Sequence, residues 1–243
     1  MKLISLLPLA CACTLLTAAP VKSKEYVIGV EELDYYPLYF YENGVYKGYA
    51  RYILDRFEQH SGHTFVYKPY PVKRLILEFL DGNIDFKFPS ASYWDASKKE
   101  NINIKYSDKV MGYTNGVTVL SSQLGQSKIG KLGTLRGFSV KSEYVDDIKA
   151  GKIQLVELNS LKQLFNMLKL GRVDGIYFNT AVANYYQSAV IGQPELAAFD
   201  PSHPHINGSY HLSTIKHPEI IEEFNQFVSS GLPSYEEFIN DKF

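Results

Sequence analysis

A chain of 243 residues, 45% hydrophobic and 21% charged, is long enough to bury a substantial core as one large domain or two small ones. Its net charge of −1 excludes the strong basic field of a nucleic-acid or anionic-membrane binder. Aromatic usage is skewed, with 19 Tyr and 14 Phe against one Trp, and tyrosine joins apolar area to a polar tip that suits a partly wet cleft as well as a core.

The N-terminus reads as a secretory signal. Lys2 supplies the positive start, Leu3 to Ala19 the apolar stretch, and Val21 and Ser23 the small residues before a cleavage after Ser23. Pro20 disfavours cleavage directly after Ala19. The apolar stretch is too short for a transmembrane anchor, and no later one is long enough to span a bilayer. Both cysteines, Cys11 and Cys13, lie inside it. A lipoprotein modified at Cys13 is the weaker alternative, because Ala10 stands where leucine is expected. Removal of residues 1–23 leaves no disulfide, no thiol chemistry and no cysteine-based metal site.

Glu25 to Val30 reads as a first strand, followed by the loop Asp34-Tyr35-Tyr36-Pro37. Asn43-Gly44, between Leu38–Tyr41 and Val45–Tyr46, is a hairpin signal. Tyr49, Tyr52, Ile53 and Phe57 recur at helical spacing up to Gly62. Thr64 to Tyr67 is a second strand, and Pro71 opens a helix that runs to Asp81. Ile84 to Phe88 is a third strand, with Ser90 to Trp94 a loop at its carboxyl end, where open α/β sheets hold their ligands. Ile102–Tyr106 and Val110–Leu120 read as extended, the second interrupted at Asn115-Gly116. After the polar stretch Ser121–Lys131 a new series begins. Leu132–Leu135 is a strand, Arg136-Gly137-Phe138 a turn, and Ser139–Lys149 a helix capped by Ser139. Ile153–Leu158 is a strand, and Asn159 or Ser160 caps a helix through Leu170. Val173–Phe178 is a strand with Asn179-Thr180 at its end, and Ala181–Val190 a helix. Asp200–Asn207 leads to a return strand at Tyr210–Thr214, and helices at Pro218–Ser229 and Ser234–Asn240 close the chain.

One pattern occurs twice. LILEFLDGNIDFKF (75–88) and LFNMLKLGRVDGIY (164–177) align on Gly82 and Gly171, with Asp85 meeting Asp174. Each reads as an amphipathic helix, a glycine, an aspartate and an apolar strand. Glycine takes the left-handed conformation after a helix without a Cβ penalty, and the apolar run suits a parallel strand buried on both faces. Two copies, and strands alternating with helices around them, imply two similar α/β lobes with a mostly parallel sheet. The two aspartates are read as holding the turns before the strands.

YVIGV with its Tyr-Tyr-Pro loop, ENGVYKGYARYILDRF, LEFLDGNIDFKF, KYSDKVMGYTNGVTVL, KLGTLRGF and LKLGRVDGIYFNTAVANYY follow one another in a telling order. That order and spacing resemble the bacterial extracytoplasmic solute-binding proteins of family 3, over nearly the whole chain after the signal. The resemblance implies the α/β periplasmic-binding-protein type II fold, in which two lobes joined by two crossing strands close on a small solute by hinge motion. It implies lobe 1 at 24–113 plus 208–243 and lobe 2 at 114–207. It also implies a periplasmic monomer with no cofactor, partnered by an ABC permease or a membrane sensor. Members that bind α-amino acids clamp the carboxylate with an Arg soon after the Ser/Thr loop of lobe 1, and the ammonium with an Asp after the GxhD strand of lobe 2. Here only Lys98 and Lys99 follow the loop, and Asn179 stands at the Asp position. A lysine point charge does not replace a bidentate fork, and a neutral amide adds no Coulomb attraction. The ligand is therefore expected to lie outside the standard α-amino acids.

The expected ligand-binding residues are Tyr35 and Tyr36 after the first strand, Ser90, Ser92 and Trp94 in the loop of lobe 1, and Arg136 and Asn179 in lobe 2. Trp94 would stack on a flat solute. Arg136 would face an anionic group, helped by the N–H groups of the following helix. Six histidines invite a metal reading, but Pro204 breaks the His203–His205 pair and no carboxylate set surrounds His60 and His63, so no metal site is assigned. No phosphate loop, nucleophile elbow or HExxH is present. Two alternatives stand beside a solute binder. One is a cyclohexadienyl dehydratase, which needs a general acid and finds only Asp34 and Asp95 near the cleft loops. The other is a protein whose lobes no longer close on any solute.

Overall fold

The structure is a computed structural model that describes residues 24–126 and 128–242. The expected signal peptide, with both cysteines, lies outside the described residues.

In chain order, β1 (Glu25–Glu31) is followed by β2 (Phe40–Glu42) and β3 (Val45–Lys47), the expected hairpin. Asn43 and Gly44 both have positive φ, 54° and 77°, as a two-residue turn between right-twisted strands requires. α1 (Tyr49–Ser61) ends at Gly62, whose N–H bonds the Glu58 carbonyl. β4 (Thr64–Tyr70) runs past the expected Tyr67 and through Pro69; it is an edge strand, where proline's missing N–H is tolerated. α2 (Val72–Leu80), β5 (Phe86–Ser90), the short β6 (Lys105–Tyr106) and the long β7 (Met111–Leu120) complete the first series. The second series is β8 (Lys131–Leu135), α3 (Ser142–Lys149), β9 (Gln154–Leu158), α4 (Leu161–Lys169), β10 (Gly175–Asn179) and α5 (Thr180–Tyr185), which continues as a π-helical turn to Val190. β11 (Ala197–Phe199), β12 (Ile206–Thr214), α6 (Pro218–Ser229) and α7 (Tyr235–Lys242) follow. Ser139 does not cap α3, because that helix begins at Ser142; Ser160 caps α4 by accepting the Gln163 N–H.

The strands run β4-β1-β5-β12-β7-β10-β8-β9 across the molecule. β1 is parallel to β4 and β5, and β8 is parallel to β9 and β10. Antiparallel β7 and β12 join these two parallel halves. β12 pairs with β7 over Ile206–Tyr210 and then with β5 over His211–Thr214. β7 changes partner from β12 to β10 at Asn115, so the expected interruption is a handover within one unbroken strand. Gly116 permits it, since a Cβ there would lie 2.4 Å from the Phe199 ring.

The doubled stretch frames both halves. Gly82 and Gly171 end their helices at φ 73° and 63°. Asp85 Oδ2 accepts the Val27 N–H of β1 at 2.9 Å. Asp174 Oδ2 accepts the Gly130 and Lys131 N–H groups, where β8 begins, at 2.9 and 2.7 Å. Each aspartate thus staples the first strand of its half to the strand that follows it.

Alternation on the central strands decides which side chains reach the site. Tyr26, Ile28 and Val30 of β1, with Phe86 and Phe88 of β5, share a core with Ile53, Leu54 and Phe57 of α1 and Ile221 and Phe224 of α6. Val27 packs on the other face against Leu75, Ile76 and Phe79 of α2. Side chains alternate along a strand, so Glu31 and Lys87 also project toward α2.

Candidate functional site

Beyond the carboxyl ends of β1 and β5 the sheet opens into a cleft with about 50 Å³ of free interior, room for a few waters. Glu31, Tyr35, Tyr39, Lys87 and Trp94 line one side; Gly137, Phe138 and Ser139, from the loop after β8, line the other. Asn115 and Tyr210, from the crossing strands, close the floor, and Val72 and Ile76 of α2 form an apolar wall.

The cleft holds a buried acid and a buried base. Glu31 is 4% exposed and accepts the Tyr39 hydroxyl at 2.5 Å. Lys87 is 6% exposed, donates to the Pro89 carbonyl at 2.6 Å, and sits 5.3 Å from the centroid of the Trp94 ring. They make no ion pair within 4.0 Å of each other. Gly29 is in register with Lys87, and Glu31 is two residues further along β1. Ordinary strand spacing then sets their Cα atoms about 8 Å apart on one face. Burial pushes the Glu31 carboxyl up, opposed by the Lys87 charge and the Tyr39 hydroxyl. Burial pushes the Lys87 ammonium down to about 8, opposed by Glu31.

Aromatic rings fix the rest. Tyr35 stacks on Tyr39 at 5.0 Å and lies 5.6 Å from Phe138, so it touches both sides of the cleft. Trp94 packs against Tyr210 at 5.9 Å and Tyr113 at 6.1 Å. Asn179 lies behind them, 1% exposed. Its Oδ1 accepts the Ala181 and Val182 N–H groups and caps α5, its Nδ2 donates to the Tyr210 hydroxyl at 3.1 Å, and its backbone N–H donates to the Tyr35 hydroxyl at 3.3 Å.

Of the expected ligand-binding residues, Tyr35 and Trp94 line the cleft. Asn179 is one layer removed and orients Tyr35 and Tyr210. Tyr36 stacks on Phe40 at 4.0 Å, away from the lining. Ser90 is buried and accepts the Ser213 hydroxyl at 2.9 Å, and Ser92 is exposed. Arg136 is exposed, with Nε donating to Asn159 Oδ1 at 3.0 Å; Gly137, at φ 91°, turns the chain so that Phe138 and Ser139 face the cleft instead. Glu31 and Lys87 escaped the sequence reading. A lysine inside the run FKFPS, on a strand covered on both faces, was the available signal. Among the described residues no group of three or more His, Cys, Asp or Glu is placed to hold a metal.

No family model matches the chain, and no curated protein matches it. Solved structures do. An ancestral arginine-binding protein bound to arginine is similar at a TM-score of 0.68 and 19% identity, over 90% of this chain and 98% of that one. Holo ArgBP from T. maritima gives 0.65 at 17%, over 90% and 95%. A histidine-bound ABC uptake transporter substrate-binding protein from Streptococcus pneumoniae gives 0.61 at 17%, over 85% and 86%. Identities this low speak for architecture and not for ligand. The chain has the periplasmic-binding-protein type II fold, the one these binding proteins share.

Proposed function

We propose that the protein is a periplasmic solute-binding protein, released by cleavage after Ser23, that captures a small polar solute and delivers it to an ABC-type importer. Its lobes are 24–113 plus 208–243 and 114–207. The observation that carries this reading is the cleft itself. Glu31, Lys87 and Trp94 stand on one side, Phe138 and Ser139 on the other, and β7 and β12 are the paired strands between the two halves. A solute that touches both sides only when they are together favours the closed form by its differential affinity. Tyr35 and Trp94 supply aromatic contact. The similarity to an arginine-bound binding protein and to a histidine-bound ABC uptake transporter substrate-binding protein supports binding without turnover.

The ligand lies outside the standard α-amino acids. Among the described residues no arginine lines the cleft, and the Asn179 side chain is spent on the α5 cap and on Tyr210. Thermal melting against amino acids, sugars, carboxylates and short peptides tests the reading. A ligand at a hundredfold excess over its Kd should raise Tm by about 5–10 °C. A library that leaves Tm unmoved would refute it. One observation favours a second reading, a dehydratase: Glu31 is an acid in the cleft with its carboxyl held up by burial. Turnover of a cyclohexadienyl substrate, abolished in Glu31→Gln, would establish it.

A further inference from the structure

Lys87 and Glu31 are both buried, and neither is fully used by the protein. An ammonium has three donors, and Lys87 spends one, on the Pro89 carbonyl. Glu31 spends Oε2 on Tyr39, and among the described residues none is recorded donating to its Oε1. Asn115 Oδ1, on the cleft floor, is buried without a protein partner. Unsatisfied polar atoms in a low-dielectric site carry a desolvation cost that a complementary ligand removes.

The charges of the cleft balance. Asp95, the other acid in the lining, is paired with Lys98 at 2.7 Å. Among the described residues of the lining, one cation and one anion without an ion-pair partner remain, which favours a solute carrying one charge of each sign. The two are not within 4.0 Å of each other, and their strands set the Cα atoms about 8 Å apart. A solute that bridges them gains from carrying its charges on different carbons. The wall of Val72 and Ile76 suits a short methylene chain, and the small interior limits its length.

We propose that the solute is a short ω-amino carboxylate, with its carboxylate on the Lys87 ammonium and its own ammonium against Glu31 Oε1 and Asn115 Oδ1. This deepens the solute-binding reading and rests on it.

Calorimetric titration of the full chain with β-alanine, 4-aminobutyrate and 5-aminopentanoate tests it. Butyrate and butylamine serve as half-ligands, and a sugar, a dicarboxylate and a dipeptide as other classes. At least one ω-amino carboxylate should bind, and both half-ligands should bind at least tenfold more weakly. Lys87→Met and Glu31→Gln should each weaken binding tenfold or more. If either variant fails to fold, the half-ligand comparison on the unaltered chain decides. Half-ligands that bind as well as the zwitterions, or folded variants that bind unchanged, would overturn the assignment. Binding of a sugar, dicarboxylate or dipeptide without any of the three ω-amino carboxylates would overturn it and leave the solute-binding reading intact. No binding by any class would overturn both.

Discussion

Raising the pH from 7 to 9 should stabilise the wild-type protein relative to Lys87→Met. Lys87 is 6% exposed, and burial holds its ammonium at about 8 against an ordinary 10.5. The sign follows from proton counting. Between these two values the unfolded chain binds a proton that the folded chain does not, so stability rises with pH across that window. Below pH 8 the buried charge costs roughly 3 kcal/mol, and at pH 9 about 2 kcal/mol remains. The gain from pH 7 to pH 9 is thus on the order of 1 kcal/mol. Burial also raises the buried tyrosines Tyr35, Tyr39 and Tyr46, which lose stability for the fold as pH rises past 10. They are common to both proteins and cancel in the difference. In Lys87→Met the Glu31 carboxyl loses the neighbouring charge that lowers it. Any titration of Glu31 in this window then weakens the variant as pH rises and widens the same gap. Urea unfolding of both proteins at pH 7, 8 and 9 gives the double difference, with equal m-values as the control. Stability curves that stay parallel across the three pH values would refute the placement of a charged lysine in a desolvated cleft.

Three further substitutions test the frame. Phe57→Ala should cost about 3–5 kcal/mol in urea unfolding, because the ring is fully buried and packs on Phe65 and Phe224. Asn179→Ala should lower stability by about 1–2 kcal/mol through the lost α5 cap, and should also leave the Tyr210 hydroxyl with Tyr35 but without its amide donor, visible as a change in near-ultraviolet circular dichroism. Gly171→Ala should cost about 1 kcal/mol by thermal melting. Nothing lies within 4 Å of the new methyl group, so the cost comes from φ 63° alone.

The frame was legible because local chemistry dictates it. Gly82 and Gly171 must take positive φ to end their helices, and Asp85 and Asp174 sit where a carboxylate meets the N–H groups of a neighbouring strand. The Asn43-Gly44 hairpin was legible for the same reason. The site was less so, because it depends on which face a side chain takes and where a loop turns. Arg136 is at the expected end of β8, yet Gly137 swings the following residues, and not the arginine, into the cleft. Asn179 stands where the resemblance placed it, but in the structure its amide is consumed by α5 and Tyr210. Lys87 was hidden inside an apolar run. Only the pairing of β1 with β5 shows that it shares a face with Glu31, in the cleft that Val72 and Ile76 of α2 wall.

Trp94 is the chain's single tryptophan and lines the cleft, so its fluorescence reports on that cleft alone. Titrating it with each compound that raises Tm is the most direct test of solute capture between the two halves. The account predicts a saturable change in Trp94 emission at the concentration that stabilises the fold. A compound that binds and stabilises while Trp94 emission stays unchanged would place the solute elsewhere and contradict it.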